Sequence, residues 1–145
     1  MTAIGDILSA VVTMLNAATF TPAVTAVKAY LPRKDLVDAA TLSMQVFPDA
    51  QTEARVTRGN TRQVERTIGI AIVQRLTGSD DNADCDTLMS LAEQVSDAVW
   101  STALAALPGV HCMAVAREPL IVPSDLEELR QVVTVLKVTY LSHED

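Results

Sequence analysis

The sequence predicts an α+β fold, in which a mostly antiparallel β-sheet carries two main helices on one face and extends into a protruding β-hairpin. Two segments repeat their apolar residues every three or four positions, so each forms a helix with one apolar stripe. The other apolar segments alternate or end at a proline or glycine, which is typical of strands. No internal repeat occurs, and the length of 145 residues fits a single domain spanning residues 1–145.

The first helix is predicted over about residues 3–18. Its apolar side chains fall at intervals of three and four, at Ile4, Ile7, Leu8, Val11, Val12 and Leu15. Pro22 follows and disfavours any continuation of the helix, because proline lacks the backbone N–H that the helical ladder requires. One side of this helix is therefore expected to be buried.

Two strands should follow the first helix. Residues 24–31 are rich in β-branched and small side chains and end at Pro32, and the alternating residues 42–46 lead to Pro48. Residues 33–38 between them form a charged connector that we expect at the surface.

The third strand begins near Val64 and alternates apolar and polar residues toward Ile72. The polar and basic residues 49–62 precede it, with Gly59 and Asn60 at their centre, so this strand is entered from a hairpin tip that residues 53–58 extend. Residues 70–73 are apolar at even and at odd positions. This predicts that both faces of the strand are covered there and that the strand is central in the sheet.

The second helix is predicted over about residues 82–105 and ends before Pro108 and Gly109. Its apolar stripe consists of Leu88, Leu91, Ala92, Val95, Ala98 and Val99. A short strand over residues 110–117, a loop bracketed by Pro119 and Pro123, and a last strand over residues 132–141 complete the order. Both helices need cover, and one face of the sheet supplies it.

Charge and hydropathy exclude several classes of protein. The chain has 11 basic and 18 acidic side chains, which give a net charge of −7. This charge argues against a protein that binds nucleic acid over its whole surface. No apolar run reaches the length of a membrane span, and no leader-like segment is visible, so we expect a soluble and unsecreted protein. Cys85 and Cys112 match neither a disulfide framework nor a zinc spacing, as expected for a reducing compartment.

The acidic run at residues 80–86 permits two interpretations. In a calcium loop that starts at Asn82, the position that needs glycine is Thr87, and the helical stripe already begins at Leu88. We therefore favour carboxylates that cap the N-terminus of the second helix and complement its dipole. No metal site is predicted.

Groups for catalysis are scarce. His111 and Cys112 are neighbours on one strand and point to opposite faces, so they cannot act together as base and nucleophile. Cys112 is predicted to be a small core residue, and Trp100 to serve in packing or in a subunit interface. The sequence predicts neither an enzyme nor a cofactor, although a small cytosolic enzyme stays open as an alternative.

One cluster of charge stands out against the acidic chain. Four of the 11 basic residues lie within twelve positions around the hairpin tip, namely Arg55, Arg58, Arg62 and Arg66. A solvated hairpin is the simplest interpretation. An arm that docks on an acidic surface of a neighbouring subunit or partner ring is the functional one, because the arginine fork binds carboxylates in pairs. Contact with DNA phosphate comes third, since the rest of the chain is negative.

Several segments together resemble a known class of viral proteins. These are the helix and its end at residues 7–20, the two proline-terminated segments at 24–32 and 42–48, the acidic turn at 80–82 and the strand that closes near Tyr140. In this order they resemble the small neck and tail-completion proteins of tailed bacteriophages, and most of all the tail terminator type. The resemblance rests on element order and covers most of the chain.

The resemblance implies a structural virion protein without enzymatic activity, assembled in the cytoplasm of a host bacterium and located in the tail or neck. Such a protein forms a ring, commonly a hexamer, at the head-proximal end of the tail tube, ends tube polymerisation and joins the tail to the head. The implied partners are further copies of the chain, the tail-tube protein and the head–tail connector or adaptor protein, while DNA passes through the lumen without specific binding. A head–tail adaptor or stopper of the neck is the alternative within the same architecture.

Overall fold

The computed structural model of the protein describes residues 3–21, 23–30, 42–56, 58–75, 81–117 and 131–144. In chain order its elements are α1 (Ile4–Ala17), β1 (Ala26–Lys28), β2 (Leu42–Arg55), β3 (Arg62–Arg75), α2 (Asp81–Ser101), β4 (His111–Ala116) and β5 (Gln131–Glu144). This is the predicted order of helices and strands. Predictions for residues 33–38, for the loop between Pro119 and Pro123, and for Asp80 lie outside the described residues.

The strands form one five-stranded sheet in the order β1-β2-β3-β5-β4. Only β1 and β2 are parallel, and the three other neighbouring pairs are antiparallel. β3 lies at the centre, as predicted, and pairs with β5 from Arg62 opposite Glu144 to Arg75 opposite Gln131. The predicted α+β fold with a mostly antiparallel sheet is confirmed.

Both helices pack on one face of this sheet. The core combines Ile7, Leu8, Val11 and Leu15 of α1, Leu88, Leu91, Val95 and Val99 of α2, and Ile68, Ile70 and Ile72 of β3. The three isoleucines share a face because successive strand residues point to opposite sides. The two stripes predicted from the sequence therefore meet the same side of the sheet.

The opposite face of β3 is buried as well. Residues 70–73 are all buried, which confirms the predicted cover on both faces. On this second face a side chain at Gly69 would overlap the ring of Phe47, which lies directly across on β2. Glycine is required there because the aromatic ring occupies the space of a Cβ.

Four elements differ from prediction in their bounds. α2 ends at Ser101 rather than near residue 105, because the following turns bring Leu104 and Val110 into the core. β1 is only three residues long, and the Asn16 side chain donates to the carbonyl of Ala26 and accepts from its N–H. β2 and β5 extend further than predicted because both pair with the polar half of β3. No helix in the described part of the chain is long and apolar enough to cross a membrane.

Candidate subunit interface on the arginine arm

The predicted hairpin exists and is built from the polar halves of β2 and β3. Beyond a β-bulge between Pro48 and Ala50, the two strands pair as far as Arg55 opposite Arg62. The N–H of Val56 donates to the carbonyl of Thr61 at 3.3 Å and narrows the loop at the tip. We call residues 49–66 the arm.

The arm is supported on one side only. The end of β5 continues along β3 to the base of the tip, so the β3 half of the arm lies between two strands. Residues 49–55 of β2 are all exposed, and no described strand pairs with their outer side. The arm therefore has a covered side and an open edge.

Arg66 lies inside the structure at the base of the arm. It is 2% exposed, and its Nη2 lies 2.9 Å from Oε2 of Glu144. Its Nε donates to Oε1 of Gln51 at 3.1 Å and its Nη1 to Oγ of Ser142 at 3.3 Å. A buried guanidinium needs such a complete set of partners, because an unpaired charge is costly to desolvate. Arg66 thus ties β2, β3 and β5 together and is not presented to a partner.

Arg62 and Arg55 are engaged within the arm but remain accessible. Nε of Arg62 lies 3.2 Å from Oε1 of Glu53 on the neighbouring strand, as an ion pair without hydrogen-bond alignment. Both side chains are more than 30% exposed, so the pair adds little to stability. Nη1 of Arg55 donates to the carbonyl of Gly59 at 3.0 Å and braces the tip.

Arg58 occupies the exposed tip itself. Within the described part of the chain it makes no hydrogen bond or ion pair, whereas the acids nearby are already engaged. Asp49, at the root of the arm, accepts from Nζ of Lys137 at 2.9 Å, and Glu53 pairs with Arg62. The positive charge left for a partner is therefore concentrated at Arg58 and Arg55.

Sequence reasoning missed the three partners of Arg66, which are Gln51, Ser142 and Glu144. One signal could have found the buried position: Arg66 has the same parity as Val64 and Ile68, so it belongs to the core face of β3. A buried arginine then calls for a carboxylate. Only the pairing of β3 with β5 shows that Glu144 supplies it.

A second feature lies between the end of α2 and the start of β4. Trp100, His111, Cys112 and Tyr140 line a cavity of about 270 Å³. His111 is exposed and Cys112 is half-buried against the core, as opposite faces of one strand require. Cys112 is thus less buried than expected for a core residue, because β4 is an edge strand. Trp100 is 54% exposed and does not pack in the core.

Neither the Cys112 thiol nor the Tyr140 hydroxyl of this cavity is activated for chemistry. Burial raises the pKa of the Cys112 thiol above its usual value. Burial, and then the nearby Cys112, raise the pKa of Tyr140 well above its usual value, and among the described residues no partner hydrogen-bonds to the Tyr140 hydroxyl. Both groups are neutral at pH 7, whereas a nucleophilic cysteine needs a lowered pKa.

The acidic run near residue 81 lies in a helix. α2 begins at Asp81 and runs without interruption to Ser101, so the residues of the hypothetical calcium loop are helical. Among the described residues, no group of three histidine, cysteine, aspartate or glutamate side chains could hold a metal ion. The position of the carboxylates in the first turns of α2 agrees with the helix dipole interpretation.

Solved structures share this fold. The chain is similar over 97% of its length to 97% of a chain from the virion of a native gene transfer agent particle, with 16% identity and a TM-score of 0.57. It is similar over its full length to a chain from the sheath/tube terminator of an extracellular contractile injection system, PVC, in the extended state, with 15% identity and a TM-score of 0.56.

The two solved chains differ in how much of their own length this chain matches. The chain spans 58% of the length of the injection-system chain but nearly the whole gene transfer agent chain. No protein-family model and no curated protein matches the sequence. The resemblance to tail terminators that the sequence suggested is confirmed at the level of the fold.

Proposed function

We propose that this protein is a structural component of a phage-like tail, which forms a ring at the head-proximal end of the tail tube and ends tube polymerisation. The carrying observation is the fold, which the chain shares along its full length with a chain of a sheath/tube terminator structure. The near-complete two-way coverage with a virion chain supports a protein that acts as one domain of this size.

In this proposal the tip of the arm contacts an acidic surface. The whole chain has a net charge of −7, so a second copy presents mainly carboxylates to an approaching arginine. Arg58 and Arg55, with Arg62 beside them, are the contact residues, and Arg66 holds the base of the arm in place. The arginine fork favours paired carboxylates over a single point charge.

The rest of the assembly follows from the same role. The ring has six copies, binds the tail-tube protein on one side and the head–tail connector on the other, and is located in the virion. DNA passes through its lumen without specific binding, because a negative wall does not hold phosphate. The protein is not an enzyme and needs no cofactor; the neutral thiol and phenol beside β4 agree with that role.

A head–tail adaptor or stopper is the second candidate. A virion chain can belong to the neck as well as to the tail end, and the likeness to the gene transfer agent chain is compatible with both places. The two candidates differ in their partner. A terminator binds the tube protein, and an adaptor or stopper binds the portal or its neighbours.

Co-expression with the tail-tube protein of the same particle tests the proposal. We expect rings on the ends of short tubes by negative-stain electron microscopy, and long uncapped tubes when this protein is omitted. Pull-down of the portal or adaptor in place of the tube protein would support the second candidate. A protein that is monomeric by native mass spectrometry, alone and with each partner, would contradict both.

A further inference from the structure

The sheet has two unpaired edges that lie at the same level along the strand direction. On one side residues 47–52 of β2 lie at the edge, because β1 pairs only with residues 44–46. On the other side β4 is the edge strand. Within the described ranges no further strand pairs with either one, and all eight residues from 49 to 56 are exposed.

The ladder pairs place these two edges in common rows across the sheet. The two limiting rows consist of Thr52, Glu65, Leu141 and His111, and of Phe47, Gly69, Lys137 and Ala116. Between these rows β3 and β5 have five residues each, whereas β2 and β4 have six each, because both edge strands contain a bulge. Because each edge strand has six residues over the same distance, β4 of one copy and β2 of another can be opposed residue for residue.

The strand directions also fit. β2, β3, β5 and β4 alternate in direction across the sheet, so β4 of one copy would run antiparallel to β2 of a second copy in the same orientation. Because the edges lie in the same rows, this contact needs no shift along the strands. A repeated contact of unlike surfaces without a rise closes into a ring when the rotation between copies divides a full turn.

The chemistry of the two edges favours their contact. The large apolar side chains that are exposed in the described residues are Val27, Tyr30, Val56, Trp100 and Met113, and all five lie at or beside a sheet edge. Met113 is the extra residue of the bulge in β4 and is 43% exposed. Residues 111–116 contain no acid, and Asp49 is the only acid among residues 47–52, so no carboxylates oppose each other across this contact. An open edge with exposed apolar residues is a template for another strand.

We infer that β4 of one copy pairs with residues 47–52 of β2 in the next copy, so that the sheet continues from subunit to subunit. This inference rests on the proposed ring and names the surface that closes it. The first row places His111 of one copy opposite Thr52 of the next. Both side chains are exposed in the single chain and lie away from the core.

Disulfide trapping tests the pairing directly. The variant carries Thr52→Cys and His111→Cys, with Cys85→Ser and Cys112→Ala to remove the native thiols. Directly opposed residues of an antiparallel pair have Cβ atoms about 4.5–5.5 Å apart, close to the separation that a disulfide bridges. We expect oxidation to convert most of the protein into a ladder of covalent multimers on a denaturing gel.

Two controls define the background. Each single cysteine variant should stay monomeric on the same gel, apart from like-to-like dimers. Thr52→Cys combined with Ala17→Cys, at an exposed position at the end of α1, should give no ladder, because Ala17 belongs to neither edge strand. A ladder of equal strength in this control would overturn the inference.

A blocking variant gives an independent readout. Met113→Lys places a charge on the proposed contact, and we expect at least a tenfold loss of ring by native mass spectrometry, with an unchanged circular dichroism spectrum. Ala105→Lys, exposed beyond the end of α2, should leave the ring intact. Intact rings with Met113→Lys overturn the inference.

The outcomes separate the inference from the function it rests on. Rings without cross-links at residues 52 and 111 overturn the edge pairing and leave the terminator role standing. Cross-links to the tube protein alone assign the edge to that partner and also overturn pairing between copies. Absence of any ring, with or without tube protein, overturns both.

Discussion

The same three strands serve two different environments in this molecule. On one side of the bulge at Pro48, β2, β3 and β5 carry the helices and bury Met44, Val46 and Ile70. On the other side β2 and β3 form the arm and β5 flanks it; there β2 is exposed along its length, whereas β3 and β5 keep buried side chains such as Val64 and Ser142. Burial of apolar side chains stabilises the helix-packed half, whereas a buried ion pair between Arg66 and Glu144 stabilises the base of the arm.

The two halves show how long strands can extend beyond a small hydrophobic core. A protruding two-stranded hairpin is only marginally stable in water. Here the end of β5 adds a third strand, and Arg66 connects all three through Gln51, Ser142 and Glu144. The arm is therefore held rigidly at its base while its tip and outer edge stay available.

Arg66→Ala should have the largest effect on stability. It leaves the Glu144 carboxylate buried without its arginine, and loss of one partner of a buried pair costs about 3–5 kcal/mol. Urea unfolding of the subunit measures this loss. The double variant Arg66→Met, Glu144→Gln should recover part of it, since no unpaired charge remains. A wild-type unfolding midpoint for Arg66→Ala would show that the arm needs no internal anchor.

Leu91→Ala tests the helix-packed half. Leu91 is completely buried between α2 and the sheet, and its truncation should cost about 2–5 kcal/mol through lost burial and a cavity. Ala105→Gly, at an exposed position outside the core, is a suitable control for general effects of substitution. Equal melting temperatures for Leu91→Ala and the wild type would contradict the position of α2.

Tyr140→Phe probes the border between the two halves through pH. The folded state raises the pKa of Tyr140 above its ordinary value of 10.0, so its proton is held more tightly in the folded chain than in the unfolded one. The contribution of Tyr140 to the free energy of unfolding is therefore fully present below about pH 10, and it falls as the pH rises further. Phenylalanine does not titrate, so the variant should lack this pH-dependent loss of stability, which is on the order of 1 kcal/mol at pH 11. Urea unfolding of both proteins at pH 8 and at pH 11 measures this difference. An equal change in the free energy of unfolding between the two pH values in variant and wild type would contradict the burial of this phenol.

Arg58→Glu should have the smallest effect on the subunit. Arg58 is exposed at the tip, and surface substitutions usually change stability by less than about 0.5 kcal/mol. Assembly should nevertheless fail or require more salt, because the reversal brings like charges together at the contact. Arg58→Lys keeps the charge and serves as the control. Normal rings and normal tube capping by Arg58→Glu would leave the tip as a solvated loop, whereas intact assembly with abnormal DNA retention would point to phosphate.

The order of the elements and their buried faces follow from local sequence patterns. Periodicity alone shows which side of α1 and α2 is apolar, because side chains three and four apart share a face in any helix. The two-sided burial of residues 70–73 follows from their composition for the same reason, since a strand with apolar residues at both parities must be covered twice.

The roles of the four arginines depend on contacts between distant parts of the chain. In the sequence, Arg55, Arg58, Arg62 and Arg66 look like one basic patch. The ladder between β3 and β5 brings Glu144, 78 positions away, against Arg66, and the ladder between β2 and β3 brings Glu53 against Arg62. Pairings of this kind depend on strand register, which local sequence does not encode, because a shift of one residue would turn each side chain to the other face. Burial therefore makes Arg66 part of the fold, and exposure leaves Arg58 for a partner.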